Sequence, residues 1–169
     1  MRPLSDQRST PVYLMLASSN QLEKALVISI GTGLALVLLT PLVVMAPPFP
    51  ATFFPFIVGK AVIARTLIEI TLGLWVVLAI RHPSYRTQRS WLLTIFSVYV
   101  LVALLASLFG VSPQRSLWST YERMQGWVDL AHWFAFTVVL ASVLRSWTAW
   151  RVLLNINLGI SFAMGLLGL

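Results

Sequence analysis

The sequence predicts an all-α integral membrane protein, a bundle of four to five transmembrane helices. Of its 169 residues, 58% are hydrophobic and only 10% are charged, whereas a soluble domain carries about 25% charged residues. Apolar runs of about 20 residues recur along the whole chain, which is the length a helix needs to cross a bilayer. Lys and Arg residues cluster in short segments between these runs, the arrangement that sets the orientation of membrane proteins.

The chain begins with a polar leader, residues 1–24, which we expect to lie outside the bundle. The first span is predicted over residues 25–45, where apolar residues dominate. Gly31 and Gly33 lie about two turns inside this span. Small residues at such positions let the backbone of a second helix approach closely.

The second span, residues 56–80, is the element around which the chain is organised, because it contains Lys60, Arg65 and Glu69. Excluding all three charges leaves only residues 70–80, a run too short to cross a bilayer. A charge near the bilayer centre costs about 2.5–3.5 kcal/mol and therefore normally faces protein or a wet cavity. We expect Arg65 and Glu69 to form an intramembrane polar seam, and the longer Lys60 side chain to reach the nearby headgroups.

The remaining chain alternates between apolar spans and short connectors. The later spans are predicted over residues 91–109, 127–144 and 152–169. The connectors are a proline-rich segment over residues 46–55, basic turns over residues 81–90 and 145–151, and a polar segment over residues 110–126. Residues 25–169 are therefore predicted to form one transmembrane bundle.

The distribution of positive charge predicts the orientation of this bundle. Five spans place the leader and both basic turns on one side, with Arg2, Arg8, Lys24, Arg81, Arg86, Arg89, Arg145 and Arg151. The other two connectors contribute only Arg115 and Arg123. Because the more basic side faces the cytoplasm, we expect a multi-pass protein of a bacterial inner membrane with a cytoplasmic N-terminus.

Composition and motifs also limit the chemistry. The chain has no cysteine, which excludes disulfides, zinc–thiolate sites and iron–sulfur clusters held by its own thiolates. It has no HExxH, no phosphate-cradling glycine loop and no GxSxG. We expect no metal, no cofactor and no catalytic residue, and no nucleic-acid partner, because the basic residues lie in membrane connectors.

Arg65 and Glu69 are four residues apart and share one helix face. They could form a site for an anion or a lipid phosphate, in which Arg65 binds the ligand and Glu69 orients Arg65. Alternatively, they form a self-neutralising pair that lets a polar seam face another helix.

Asp129 and His132 are three residues apart near the start of the fourth span, and they also admit two interpretations. They could act together as a carboxylate–imidazole general base. Alternatively, Asp129 contacts a cation such as Arg65 or Arg123, and His132 makes a hydrogen bond within the bundle. Ligation of a haem or another metal-centred pigment by His132 alone is a third alternative.

The polar segment before the fourth span mixes aromatic and charged residues. Its candidate contact residues are Arg115, Trp118, Tyr121, Glu122 and Arg123. Trp and Tyr are typical of the membrane interface, so one interpretation is an interfacial turn. The other is an outward-facing polar site for a headgroup or a sugar, with Arg115 and Arg123 on its phosphate.

Two stretches of the chain carry a family resemblance. The segments FFPFIVGKAVIARTLIEI and ALLASLFGVSPQRSLWSTYERMQGWVDLAHWFAF resemble the N-terminal membrane region of the O-antigen ligase-like superfamily. The resemblance covers roughly residues 53–144, and ERMQG is its most distinctive element. It implies an inner-membrane protein that handles a lipid-linked glycan, although the superfamily's catalytic periplasmic loop has no counterpart in these residues.

The resemblance and the missing loop together give two expectations for function. The first is a non-catalytic membrane scaffold or accessory subunit that packs against other chains of an inner-membrane complex. The alternative is the N-terminal part of a glycan ligase or polymerase that transfers a lipid-linked glycan to an acceptor. The expected partners are the lipid bilayer, other membrane subunits, and lipid headgroups or a lipid-linked glycan.

Overall fold

The structure is a computed structural model, and it describes residues 11–43, 58–120 and 123–168, with side chains from residue 21 onward and excepting that of residue 167. Its α-helices are α1 (Pro11–Leu39), α2 (Val58–Arg81), α3 (Trp91–Phe109), α4 (Pro113–Trp118), α5 (Trp127–Val143) and α6 (Trp147–Leu167). Single 3₁₀ turns follow α1 at Thr40–Leu42 and α2 at Pro83–Tyr85. No described residue lies in a β-strand, so the predicted all-α fold class is confirmed.

Four segments are long and apolar enough to cross a membrane, as the fold class requires. They are Gln21–Leu42, Val58–Arg81, Trp91–Phe109 and Trp147–Leu166. The fifth apolar helix, α5, has 17 residues. At 1.5 Å per residue it is about 26 Å long, slightly less than the roughly 30 Å hydrocarbon core.

Helix α1 begins within the predicted polar leader. The described part of the helix runs from Pro11 and its membrane-spanning segment from Gln21, whereas the first span was expected to begin at residue 25. The residues that follow Pro11 include Leu, Met and Ala, which favour helix. The leader is therefore helical from residue 11, although its composition is polar.

Helix α6 also begins before its predicted start, within the second basic turn. Ser146 precedes the helix, and its Oγ accepts a hydrogen bond of 3.1 Å from the amide of Ala149. A serine at this position satisfies one of the free amides of the first turn. The helix consequently starts at Trp147 rather than at residue 152.

Side-chain contacts define the relative directions of the helices. Helices α1 and α2 are antiparallel: Glu23 of α1 contacts Tyr85 beyond the end of α2, whereas Gly33, ten residues later in α1, faces Thr71 nearer the start of α2. Helices α3 and α5 are also antiparallel: the indole of Trp127, at the start of α5, donates to the carbonyl of Val100 within α3 at 2.9 Å, and Ser142, near the end of α5, is 3.1 Å from Thr87 just before α3.

Helices α2 and α5 are parallel. Arg65 pairs with Asp129 near the starts of both helices, and one turn further along Glu69 pairs with His132. Helices α1, α2, α3 and α5 therefore alternate in direction along the chain. We call the end with the start of α3 and the end of α2 the basic end, and the end with α4 the connector end.

The most buried apolar side chains lie where α1, α2 and α5 meet. Ile30, Leu34, Ile68, Leu78 and Val139 are each no more than 2% exposed. The outward faces are also apolar, for example on α3 and α6. Apolar side chains on both the inside and the outside are typical of a helix bundle surrounded by lipid rather than water.

Only one of the two glycines in the first span makes a close helix contact. A Cβ added at Gly33 would lie 2.5 Å from Oγ1 of Thr71, a distance that real Cβ atoms do not adopt. A Cβ added at Gly31 would meet no atom within 4 Å. Gly33 therefore permits the approach of α1 to α2, and Gly31 does not contribute to it.

The segment between α3 and α5 contains a short helix and a tight packing point. Helix α4 covers residues 113–118, and a Cβ added at Gly126 would overlap the carbonyl oxygen of Leu117. Glycine at position 126 therefore lets the segment fold back onto α4. Tyr121 and Glu122, two candidate contact residues, lie outside the described residues, as do the proline-rich segment and residues 56–57.

Candidate functional site

The centre of the candidate site is an ion pair between α2 and α5. Nη2 and Nε of Arg65 donate to Oδ1 of Asp129 at 3.1 and 3.3 Å. Nη2 also donates to the carbonyl oxygen of Met124 in the segment before α5. The side chains of Arg65 and Asp129 are 15% and 24% exposed. The guanidinium thus joins one helix to a second helix and to the segment preceding it.

A second polar contact lies one turn further along the same two helices. Nε2 of His132 is 3.0 Å from Oε1 of Glu69, and Nδ1 of His132 is 2.6 Å from the carbonyl oxygen of Val128. Because a carbonyl only accepts, Nδ1 carries a proton and donates it.

These contacts change the pairing that the sequence suggested. Arg65 and Glu69 share a helix face, but each pairs with a residue of α5 and not with the other. The predicted contact between Asp129 and a cation is present, and the cation is Arg65. The alternative of a general base made by Asp129 and His132 is not formed, because each has a different partner in α2.

The remaining candidate residues fall into two groups. Lys60 and Arg123 lie together at the connector end, where they line one cavity with Asp129. Arg115 and Trp118 lie on α4, exposed and outside the lining of that cavity. Within the described ranges, no group of three His, Cys, Asp or Glu residues could hold a metal ion.

The cavity has a volume of about 310 Å³ and opens at the connector end. Its walls come from the 3₁₀ turn after α1, the first two turns of α2, the segment before α5, and α5 itself. Polar residues on the wall are Thr40, Lys60, Arg123, Gln125 and Asp129, and apolar surface comes from residues that include Ala61, Ala64 and Trp133. Asp129, the partner of Arg65, lies on the wall of this cavity.

A second polar cluster lies at the basic end and was not predicted from the sequence. The hydroxyl of Tyr85 donates to Oε1 of Glu23 at 3.1 Å, and the Tyr85 carbonyl accepts from Nε1 of Trp75 at 3.1 Å. The guanidinium of Arg145 lies over the Tyr85 ring, 5.3 Å from its centre. Tyr85 therefore connects α1, α2 and the end of α5 by three different interactions.

The surroundings of Tyr85 also affect its ionisation. Burial raises the pKa of the phenol above its usual 10.0, and the hydrogen bond to Glu23 and its negative charge raise the pKa further, while the charge of Arg145 lowers it. The phenol is therefore neutral at physiological pH and can act as the hydrogen-bond donor. In the sequence, the one sign of this contact is that Tyr85 is an aromatic residue within the basic turn over residues 81–90.

Helix α6 is the least buried of the four spanning segments. Its exposed residues include the amides Asn155 and Asn157 as well as Ser161. Neither amide side chain makes a hydrogen bond to another described residue, while the Ser161 hydroxyl donates to its own helix at 2.9 Å. Two amide side chains without a described hydrogen-bond partner thus lie on the outer surface of α6.

Comparison of the chain with protein-family models, curated proteins and solved structures finds no match to it. The resemblance to the O-antigen ligase-like superfamily therefore stays a prediction from the sequence.

Proposed function

We propose that this protein is a non-catalytic scaffold or accessory subunit of a bacterial inner membrane, packed against other membrane chains. Its own polar residues stabilise the bundle, and its outward polar residues contact the partner chains. The cytoplasm faces the basic end, because five of the Lys and Arg residues in the described part of the chain, Arg81, Arg86, Arg89, Arg145 and Arg151, lie at or near it.

The observation that supports this proposal most strongly is the position of Glu69. It lies eleven residues after the start of α2, about 17 Å along a helix about 36 Å long. Its side chain is nevertheless 67% exposed. An ionisable group at the bilayer centre costs about 2.5–3.5 kcal/mol when lipid surrounds it. A partner chain over this face of α2 removes that cost.

The outer surface of α6 supports the same conclusion. Asn155 lies eight residues after the start of the helix, about 12 Å along its axis. Amide groups in hydrocarbon are unfavourable unless they form hydrogen bonds, and in membranes they do so across helix interfaces. The nearby Gly159 has no atom within 4 Å of an added Cβ, so another helix can approach closely here.

The inner polar contacts support a structural role for the charged residues at membrane depth. Arg65 and Asp129 neutralise each other, and His132 donates to its own helix. A general base must be free to take a proton from a substrate. The groups best suited to that task are instead used to hold α2 and α5 together.

The effect of Glu69→Leu on assembly distinguishes a partner contact at Glu69 from exposure of Glu69 to lipid. If Glu69 faces lipid, Glu69→Leu removes an exposed carboxylate and its contact with His132 but leaves no group of a partner unsatisfied, so the chain stays in its complex. If Glu69 faces a partner, the same change leaves a polar group of the partner unsatisfied and releases the chain from its complex. We expect release, measured as a shift to the size of the free chain when native membranes are solubilised in mild detergent.

The control for this experiment is Val76→Leu, at an exposed apolar position of the same helix. It alters the volume on the surface of α2 without removing a polar group, so the complex should persist. Retention of the complex by Glu69→Leu would contradict the proposal.

The second candidate function is the N-terminal part of a glycan ligase or polymerase. The cavity at the connector end favours it, because Lys60 and Arg123 could face a charged donor. The test is reconstitution of the chain with a lipid-linked glycan donor and an acceptor. Turnover that disappears in His132→Ala would support this candidate over the accessory subunit.

A further inference from the structure

The cavity at the connector end combines positive charge with a position at the membrane surface. Lys60 and Arg123 both line it. Neither forms a salt bridge with a carboxylate of the described residues, and the one carboxylate on the wall, Asp129, is already paired with Arg65. The cavity therefore has two positive charges that no described side chain balances.

The chemistry of these two cations fits a phosphate. The Arg guanidinium presents a planar array of donors that matches two oxygens of a phosphate, and the Lys ammonium adds a compact charge with three donors. The exposed amide of Gln125 on the same wall can donate a further hydrogen bond. Thr40 does not compete as a donor, because its hydroxyl already donates to the carbonyl of Val37 at 2.7 Å.

The depth of the cavity fits the phosphate layer of a membrane. Helix α2 has 24 residues and is about 36 Å long, which exceeds the hydrocarbon thickness of about 30 Å. Its first turn, which contains Lys60, therefore lies at headgroup level when α2 spans the bilayer. Arg123 lies at the same end, just before the start of α5.

The walls around the charges strengthen the attraction for an anion. Ala61, Ala64 and Trp133 present apolar surface beside the cations, and charges interact more strongly where water is partly excluded. The volume of about 310 Å³ lies at the lower end of the range for small-molecule sites. It is suited to a headgroup rather than to a whole lipid.

We infer that this cavity binds a phosphate group, either that of an anionic phospholipid headgroup or that of a free phosphate ion. Lys60 and Arg123 bind its oxygens, and the Arg65–Asp129 pair stabilises the wall behind them. This binding site is independent of the accessory role proposed above, since it requires no partner chain.

The test uses the full chain and the double variant Lys60→Met with Arg123→Gln. The probes are nanodiscs of phosphatidylcholine with and without phosphatidylglycerol, inorganic phosphate, and glycerol phosphate. Bound phosphatidylglycerol is counted by native mass spectrometry after release from the nanodisc. The matched control is Arg115→Gln, which removes an exposed cation of the same end outside the cavity.

We expect the wild-type chain to retain phosphatidylglycerol and the double variant to bind it about a hundredfold more weakly, about tenfold for each charged hydrogen bond lost. The Arg115→Gln control and the conservative Lys60→Arg variant should bind it as the wild type does. Displacement by inorganic phosphate or glycerol phosphate would identify free phosphate as a sufficient ligand. Displacement by neither would show that the lipid is required.

Two outcomes would overturn this inference. One is undiminished phosphatidylglycerol binding by the double variant when its size-exclusion profile matches that of the wild type. The other is an equal loss in Arg115→Gln, which would show a general effect of surface charge and not a site. If the double variant does not fold, Lys60→Met and Arg123→Gln are measured singly against the same criteria.

Discussion

The guanidinium of Arg65 and the carboxylate of Asp129, 3.1 Å apart, join two helices that are 64 positions apart in the sequence. The pair lies close to the start of both α2 and α5, and these helices run in the same direction. Neutralisation of two charges at this contact allows a polar residue to occupy a membrane helix. The stability of the bundle should consequently depend on both members together.

The first prediction tests this pair by a double-mutant cycle. Removing one member of a buried pair costs about 3–5 kcal/mol, because it leaves the other charge unpaired. Since both side chains are partly exposed, we expect Arg65→Leu and Asp129→Leu each to cost about 3 kcal/mol. The double variant should be more stable than either single variant. Unfolding of the detergent-solubilised protein, followed by tryptophan fluorescence, measures all three.

The control for this cycle is Arg115→Leu, on the exposed surface of α4, which should change the free energy of unfolding little. If the cost of the double variant equals the sum of the single costs, the two residues do not interact. That result would contradict the ion pair.

The second prediction concerns the contact between α1 and α2. Gly33→Ala places a methyl group 2.5 Å from Oγ1 of Thr71, and Thr71 is only 3% exposed. We expect a loss of about 1–3 kcal/mol, the usual cost of overpacking. Gly31→Ala is the matched control and should be tolerated, because the space around it is open. Thermal unfolding in detergent measures both variants.

Removal of the obstructing side chain gives a further test of the same contact. In Gly33→Ala with Thr71→Ala, the second change creates the space that the first requires. The double variant should therefore recover part of the lost stability. Equal effects of Gly33→Ala and Gly31→Ala would show that the two helices do not approach at this point.

Gly33 and Gly31 show which features of the fold the sequence could predict and which it could not. Hydropathy predicted the spans because each apolar run can be recognised from its own length and composition, without knowledge of the other helices. A pattern within one helix could not distinguish Gly33 from Gly31, since the distinction depends on which side of α1 faces α2. In the same way, the four-residue spacing of Arg65 and Glu69 placed them on one face but could not show that both face α5.

A polar contact between two helices could be predicted from the sequence only where few possible partners existed. Asp129 has the only carboxylate early in the fourth span, so a contact with Arg65 or Arg123 was one of two choices. Tyr85 is different, because its partners lie on three elements and only the fold brings them together. The cavity was also beyond prediction, since Lys60 and Arg123 are far apart in the chain.

The third prediction concerns the pH dependence of the Tyr85 contact. Because its pKa is raised in the folded protein, the contribution of the neutral phenol is complete below pH 10 and is lost as the pH rises through the raised pKa. Tyr85→Phe removes the hydrogen bond to Glu23 and should cost about 0.5–1.5 kcal/mol near neutral pH. It should also remove this alkaline loss of stability.

Unfolding free energies of the wild type and Tyr85→Phe at several values from neutral to strongly alkaline pH measure the effect. The difference between the two proteins should decrease above pH 10. A difference that stays constant over this range would show that the Tyr85 phenol does not lose a favourable contact when it ionises.

The fourth prediction is the orientation in the membrane. Ser84 and Gln114 are exposed and lie at opposite ends of the bundle. The chain has no native cysteine, so Ser84→Cys and Gln114→Cys each provide a single thiol. In intact cells, a membrane-impermeant thiol reagent should label Gln114→Cys, and should label Ser84→Cys only after the cells are permeabilised. The reverse pattern would place the basic end outside the cell and contradict a cytoplasmic N-terminus.

The most direct test of the proposed accessory role is cross-linking at Gly73. This residue is one turn after Glu69 on the exposed side of α2, and an added Cβ would meet no atom within 4 Å. A single cysteine at Gly73, coupled to a photoreactive group and illuminated in the native membrane, should form an adduct with a different membrane protein. The same probe at Val102, on the exposed face of α3, serves as the control. Adducts with lipid alone at both positions, or only with a second copy of this chain, would contradict the account.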